Sequence, residues 1–171
     1  MGFTPLAGLP MGTRCGDIDA SLPLFLMEQE GLSPSQMSDV LNKQSGLKAL
    51  TGSNDMRDVE SMIEKGDQNA VLANNIFNYR VIKYIGAYLA VLGKIDGILF
   101  TGGIGENAPV TREPICKAFE PFGLELDEDL NQIRSGEPRE INKKGSKIKA
   151  LVVPTNEELE IMQTTLKILG Y

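Results

Sequence analysis

The sequence predicts a helix-rich α/β protein whose parallel sheet is small and incomplete. Three observations carry this. First, the apolar run Ile98-Leu99-Phe100 enters Thr101-Gly102-Gly103-Ile104-Gly105-Glu106-Asn107, and a helix-start signal, Asn107-Ala108-Pro109, follows. Second, another apolar run, Lys149-Ala150-Leu151-Val152-Val153, leads through Pro154-Thr155-Asn156-Glu157-Glu158 into a terminal stretch with Leu159, Ile161, Met162, Leu166 and Leu169 at helical spacing. Two apolar strands, each followed by a helix, make a parallel sheet. Third, the stretch from about Asn69 to Leu92 places Phe77, Val81, Tyr84, Ile85, Tyr88 and Leu92 on one helical stripe, with Ile76, Ile82 and Leu89 off it. So few central strands among so many helices suggest a missing piece upstream.

In chain order, residues 1–19 read as loop, with short polar residues and glycines around Arg14. A domain rarely starts on such a loop, which reads like the middle of a longer protein. Asp19 is the expected N-cap of a helix through Leu22, Phe25 and Leu26 that ends at Gly31. Ser33-Pro34 opens the next, with Met37, Val40 and Leu41 on one face, closing near Gly46. Ser53, Asn54 and Asp55 are cap formers before a short helix with Met56, Val59, Met62 and Ile63 that stops at Gly66. The long helix follows. It is apolar on more than one side, so it is expected to be buried, its tyrosines in the core, with Gly93 as C-cap. After the glycine stretch, Asn107 should cap and Pro109 should open a helix with Ile115, Cys116 and Phe119 that kinks or restarts at Pro114. Residues 123–148 are mixed. Thr155-x-x-Glu158 has the form of a capping box at the start of the last helix.

Composition narrows the function. A chain of 171 residues is long enough for one domain with a real core, and its apolar and charged contents are those of an ordinary globular protein. The net charge of −6 and the lack of a long basic run argue against nucleic acid as main partner. No apolar stretch is long and clean enough to span a membrane, and the start has neither the n-region nor the h-region of a signal peptide. Leu6 removes a myristoylation reading of Gly2. Cys15 and Cys116 form no disulfide framework or zinc pattern and read as free cytosolic thiols. Histidine is absent, which excludes Ser-His and Cys-His triads and histidine metal sites from this chain.

The glycine stretch is where chemistry would sit. A strand, glycines and then a helix bring backbone close to a nucleotide, because glycine has no Cβ to keep a ligand away. The spacing is neither the dinucleotide G-x-G-x-x-G nor a Walker loop. On its own it also fits a tight turn without a ligand.

Four segments together give the sequence a family resemblance. They are Met1-Gly2-Phe3-Thr4-Pro5-Leu6 running into Met11-Gly12-Thr13-Arg14-Cys15-Gly16-Asp17-Ile18-Asp19; Ser53-Asn54-Asp55-Met56-Arg57-Asp58; Phe100 to Asn107; and Pro154-Thr155-Asn156-Glu157-Glu158-Leu159. In order and approximate spacing they resemble the C-terminal portion of the acetate kinases, members of the actin, Hsc70 and sugar-kinase (ribonuclease H-like) fold group. Propionate kinases share most of these motifs. The resemblance implies a single partial domain over 1–171, with the N-terminal half of the family protein absent. That half would hold the acyl pocket, the histidines, a catalytic aspartate and the first phosphate loop.

The resemblance implies reversible phosphoryl transfer between ATP and acetate with Mg²⁺, in a cytoplasmic homodimer, this chain supplying the nucleotide side. A non-catalytic nucleotide-binding or interaction module is the reading from another class. The family's transition-state arginine falls on Arg14; by spacing alone Arg14 would be a surface residue paired with Asp17 or Asp19. Asp55, Met56 and Arg57 would border ribose and adenine, with Gly103, Ile104, Gly105, Glu106 and Asn107 as the other wall. The metal-linked glutamate falls on Glu157, and Glu158 remains structural.

Overall fold

The structure, a computed structural model, describes residues 2–170; Met1, which opens the first motif, lies outside them. The chain divides into two compact units, Met1–Lys94 and Ile95–Tyr171.

The first unit carries α1 (Ser21–Glu30), α2 (Pro34–Lys43), α3 (Gly46–Thr51), α4 (Met56–Glu64) and α5 (Gln68–Leu92). The caps explain most boundaries. Ser33 and Gln36 form a reciprocal capping box, with Pro34 in the first turn. Asp55 caps α4 through the Arg57 N–H, and Asp67 caps α5 through the N–H groups of Asn69 and Ala70. Asp19 sits one residue too early to cap α1, and its carboxylate instead accepts from the Ser21 N–H at 2.7 Å. Gly46 does not close α2; it opens α3, a helix the apolar pattern did not reveal. Its φ is +63°, and a Cβ there would lie 1.9 Å from the Met11 carbonyl oxygen. Only glycine lets the chain turn so hard against the residue 11–14 loop.

Met37, Leu47, Met56, Val59, Ala70, Ala73 and Phe77 are buried in this unit. All the buried residues of α5 lie in its first half, where α3 and α4 pack against it. The expectation of a helix buried on several sides therefore fails for its second half. Tyr88 and Leu92 there are 60% and 65% exposed, and Tyr79, just before the midpoint, is 61% exposed. Periodicity marks which face is apolar, not whether anything covers it.

The second unit carries β1 (Gly97–Phe100), α6 (Gly102–Asn107), α7 (Pro109–Ala118), a 3₁₀ turn at Glu120–Phe122, α8 (Glu128–Gln132), β2 (Arg139–Glu140), β3 (Lys149–Val152) and α9 (Glu157–Leu169). Among the described residues the sheet has three strands in the order β1-β3-β2. β1 and β3 are parallel, in register from Gly97 opposite Lys149 to Phe100 opposite Val152. The short β2 runs antiparallel to β3, with Arg139 opposite Val152. Ile98, Phe100, Ala150 and Val152 are buried with Ile115, Phe119, Leu124 and Ile141. The helix-rich α/β class and the small parallel sheet are thus as expected.

Three local expectations are corrected here. The glycine stretch is itself a short helix, α6, so Asn107 ends a helix rather than capping one, and its Nδ2 donates to the Gly103 carbonyl at 3.0 Å. α7 starts at Pro109 but runs through Pro114 unbroken, held by the buried face of Thr111, Arg112, Ile115 and Cys116. The Thr155–Glu158 capping box does not form. Asn156 caps α9 through the Leu159 N–H, because Thr155 is bonded elsewhere.

Candidate functional site

In the first unit, the loop bearing Arg14 is fixed by backbone on several sides. Met11 N–H donates to the Arg14 carbonyl at 3.0 Å, Ser45 N–H to Thr13 at 3.0 Å, Lys48 N–H to Gly12 at 2.9 Å and Cys15 N–H to Leu41 at 3.0 Å. Asp17 secures the far end. Its carboxylate accepts from the Gly8 N–H at 2.7 Å and from the Tyr84 hydroxyl, while Arg80 donates to its carbonyl at 2.9 Å. The Tyr84 hydroxyl first, then the Gly8 N–H, hold the Asp17 carboxyl below its ordinary value. Asp17 and Asp19 are thus bonded to groups other than the Arg14 side chain. That side chain is exposed on a rigid loop, beside a cavity of about 430 Å³ lined largely by apolar residues, among them Leu9, Val81 and Tyr88.

The same loop meets the second motif. A Cβ on Gly12 would lie 2.6 Å from the Asn54 carbonyl oxygen, so the two backbones approach as closely as glycine permits. From there Asp55 and Arg57 face each other at the start of α4. The Arg57 guanidinium donates from Nε at 3.0 Å and from Nη2 to the Asp55 carboxylate, which it holds down at about 2. The Arg57 side chain is 85% exposed. Met56, between them, points into the core and is 7% exposed, leaving its backbone for any ligand.

In the second unit, α6 and the loop before α9 follow the carboxyl ends of neighbouring parallel strands, where ligands bind in open α/β sheets. Gly103 and Asn107 are exposed; Gly105, Ile104 and Glu106 are half-buried. Glu106 Oε1 accepts from the Gly102 N–H at 2.9 Å, the Thr155 N–H at 2.9 Å and the Thr155 hydroxyl at 3.0 Å. The Thr155 N–H contributes most to holding this carboxyl below its ordinary value. Glu157, two residues beyond Thr155, is the exposed first residue of α9. The structure thus links the glycine segment to the stretch carrying Glu157, and links the Arg14 loop to the Asp55 motif.

Sequence reasoning missed Arg112. It is 1% exposed, and its guanidinium donates to Asn131 Oδ1 at 2.8 Å, to the Asn131 carbonyl at 2.6 Å and to the carbonyls of Gly105 and Glu106, each at 2.9 Å. Those last two carbonyls end the glycine helix. The only signal was Ile115 and Cys116 placed one turn on from an arginine. Cys116 is also buried, which pushes its thiol up to about 12.

Among the described residues, no group of three or more histidine, cysteine, aspartate or glutamate side chains is arranged to hold a metal, and no helix is long and apolar enough to cross a membrane. The sequence model of the Acetokinase family matches residues 1–163. The acetate kinase of Oleidesulfovibrio alaskensis is 54% identical over 169 residues, which is 99% of this chain and 42% of that protein. The acetate kinase of Dictyoglomus turgidum is 50% identical over 171 residues, again 42% of its length. The crystal structure of Porphyromonas gingivalis acetate kinase superposes with a TM-score of 0.91 at 43% identity, over 99% of this chain and 43% of that one. A propionate kinase from Francisella tularensis gives 0.87 at 44% identity, over 95% of this chain and 41% of its own. The chain therefore spans about 42% of the length of the curated relatives it matches.

Proposed function

Because the chain belongs to the acetokinase family, we propose that it forms the nucleotide side of an acetate kinase. In that reaction an acetate carboxylate oxygen attacks the γ-phosphorus of ATP as the bond to the ADP oxygen breaks. Acetyl phosphate and ADP result, with no net proton change. The observation that carries the reading is the Arg14 loop, a guanidinium presented to solvent on a backbone fixed by several hydrogen bonds. Phosphoryl transfer depends on positioning and on charge stabilisation at the three equatorial oxygens. A guanidinium fork held still by its own backbone suits that task better than a flexible lysine.

In this reading Asp55, Arg57 and the Met56 backbone border the adenosine, with Arg57 held by Asp55 until a phosphate or base competes for it. Gly103, Ile104, Gly105, Asn107 and the Glu106 backbone are the second unit's contribution to nucleotide binding. Glu157 is the residue that would hold Mg²⁺, which neutralises charge on the phosphates when bound. A single exposed carboxylate fits an ion that keeps most of its waters and takes other ligands from phosphate. The 171 residues are then one partial domain of a longer cytoplasmic homodimer.

Propionate as acceptor is the second reading, favoured by the likeness to the Francisella propionate kinase. The test is a coupled kinase assay with ATP, Mg²⁺ and either acid. It uses this chain alone, this chain mixed with the N-terminal portion, and the two as one polypeptide. The single polypeptide should transfer phosphoryl and this chain alone should not, since nothing in our reading gives it the acceptor pocket. Robust transfer by this chain alone would overturn the assignment, as would no transfer to either acid by the single polypeptide.

A further inference from the structure

One oxygen atom joins two loops that lie 49 residues apart. Glu106 Oε1 takes the Gly102 N–H from one side and both the N–H and the hydroxyl of Thr155 from the other. Gly102 opens α6, whose N-cap residue Thr101 makes no side-chain cap bond. The glutamate reaches back one turn and satisfies a free donor of its own helix. Thr155 immediately precedes Asn156, the N-cap of α9, and Glu157, the first residue of α9. The two loops leave adjacent parallel strands from paired residues, Phe100 and Val152. Nothing covalent fixes their separation beyond the strand ends. The Glu106 carboxylate does.

We propose that Glu106 is a positioning residue, a tie that sets the distance between the glycine wall and the carboxylate of Glu157, so that nucleotide and Mg²⁺ are gripped in register although the Glu106 side chain touches neither. The inference rests on the nucleotide and metal roles proposed above. Three features support it over a ligand contact. All three bonds converge on a single oxygen, and each has ordinary length. One arm of the tie, the Thr155 hydroxyl, belongs to a residue with no proposed contact to nucleotide or metal. The other end of α6 is held separately, by Arg112 on the carbonyls of Gly105 and Glu106, so losing the tie frees one end of the helix and not the whole.

The variants are Glu106→Ala, Glu106→Gln and Thr155→Val, made in the intact protein that contains this chain. Gln keeps an oxygen where Oε1 lies and can accept all three bonds without the charge. Val removes only the hydroxyl arm. The readouts are the Mg²⁺ concentration for half-maximal rate, ADP affinity by calorimetry, and amide exchange over Gly102–Asn107 and Val153–Leu159. Glu106→Ala should raise the Mg²⁺ requirement on the order of tenfold and weaken ADP severalfold, from the loss of bonds to a charged acceptor. Amide exchange should quicken in both segments together. Thr155→Val should show a smaller change of the same sign, and it keeps the test alive if Glu106→Ala does not fold. Glu106→Gln, which keeps the acceptor and loses the charge, should recover most of what Glu106→Ala loses in all three readouts.

Two results overturn the proposal. One is Gln behaving as badly as Ala, which would make the charge itself the active element. The other is an unchanged Mg²⁺ requirement with faster exchange confined to Gly102–Asn107. If the wild type binds no ADP, the proposed function fails; the exchange data still decide whether Glu106 couples the two loops.

Discussion

Replacing Arg112 with methionine should destabilise the second unit by about 3 kcal/mol. The guanidinium is almost fully buried, and among its partners are Asn131 Oδ1, the Asn131 carbonyl and the carbonyls of Gly105 and Glu106. Methionine fills much of the volume but donates nothing. Gly105 and Glu106 are half-buried, so water can reach their carbonyls; Asn131 is 0% exposed, so its two oxygens are stranded. A buried polar group left without a partner costs about 1–3 kcal/mol, which for two such groups gives roughly the stated loss after some relief from removing a buried charge. For a chain of this size that lowers the melting midpoint by roughly 6–12 °C. Arg112→Lys keeps the charge but cannot reach all of these acceptors, and should fall between. Adding Asn131→Ala to Arg112→Met should cost little more, since the partners form one network. Urea unfolding followed by circular dichroism measures all four proteins. A loss under about 0.5 kcal/mol for Arg112→Met would refute the reasoning that the buried oxygens of Asn131 depend on this arginine.

Arg57→Ala should let the Asp55 carboxyl rise from about 2 toward its ordinary value, seen by NMR titration of its side-chain carbon. Because the folded value is depressed, the pair stabilises above the unfolded value and that contribution disappears as pH falls through about 2, so the wild type should lose it between roughly pH 4 and 2, and the variant should lose only the smaller part that the residue-57 backbone N–H still supplies. Asn156→Ala should cost about 1 kcal/mol by removing the α9 cap, whereas Glu158→Ala should be nearly neutral; thermal melts that rank them the other way would contradict the capping geometry. Asn78 is 3% exposed, and neither side-chain polar atom has a hydrogen-bond partner among the described residues, so Asn78→Leu should be neutral or stabilising by up to about 2 kcal/mol in denaturant unfolding. A clear loss would reveal a partner for the amide.

Sequence alone revealed those parts of the fold that depend on neighbours close in the chain. Ser33 followed by Pro34 marked the start of α2, Asp55 the start of α4, and Gly93 the end of α5. The two apolar runs became the parallel pair β1 and β3. What escaped was decided by residues far apart. Three glycines in Gly102–Asn107 disfavour a helix by propensity, yet α6 forms because Glu106 and Arg112 hold its two ends. Thr155 has the spacing of a capping box but bonds Glu106 across the sheet end. An arginine is ordinarily a surface residue, so nothing local announced that Arg112 would be buried. The pairing of Arg14 with Asp17 or Asp19, the bland reading from spacing, fails because Tyr84, a residue 67 positions on from Asp17, takes the Asp17 carboxylate and the Ser21 N–H takes that of Asp19.

The most direct test of the nucleotide-side assignment is Arg14→Ala in the longer polypeptide that joins this chain to the N-terminal portion. Turnover with ATP and acetate is measured beside ADP affinity by calorimetry. A residue that contacts only the transferring phosphoryl group lowers kcat and kcat/KM together and leaves nucleotide binding alone. Turnover should fall on the order of a thousandfold, with ADP affinity within about threefold of wild type. An unchanged kcat, or a loss confined to ADP affinity, would contradict the assignment.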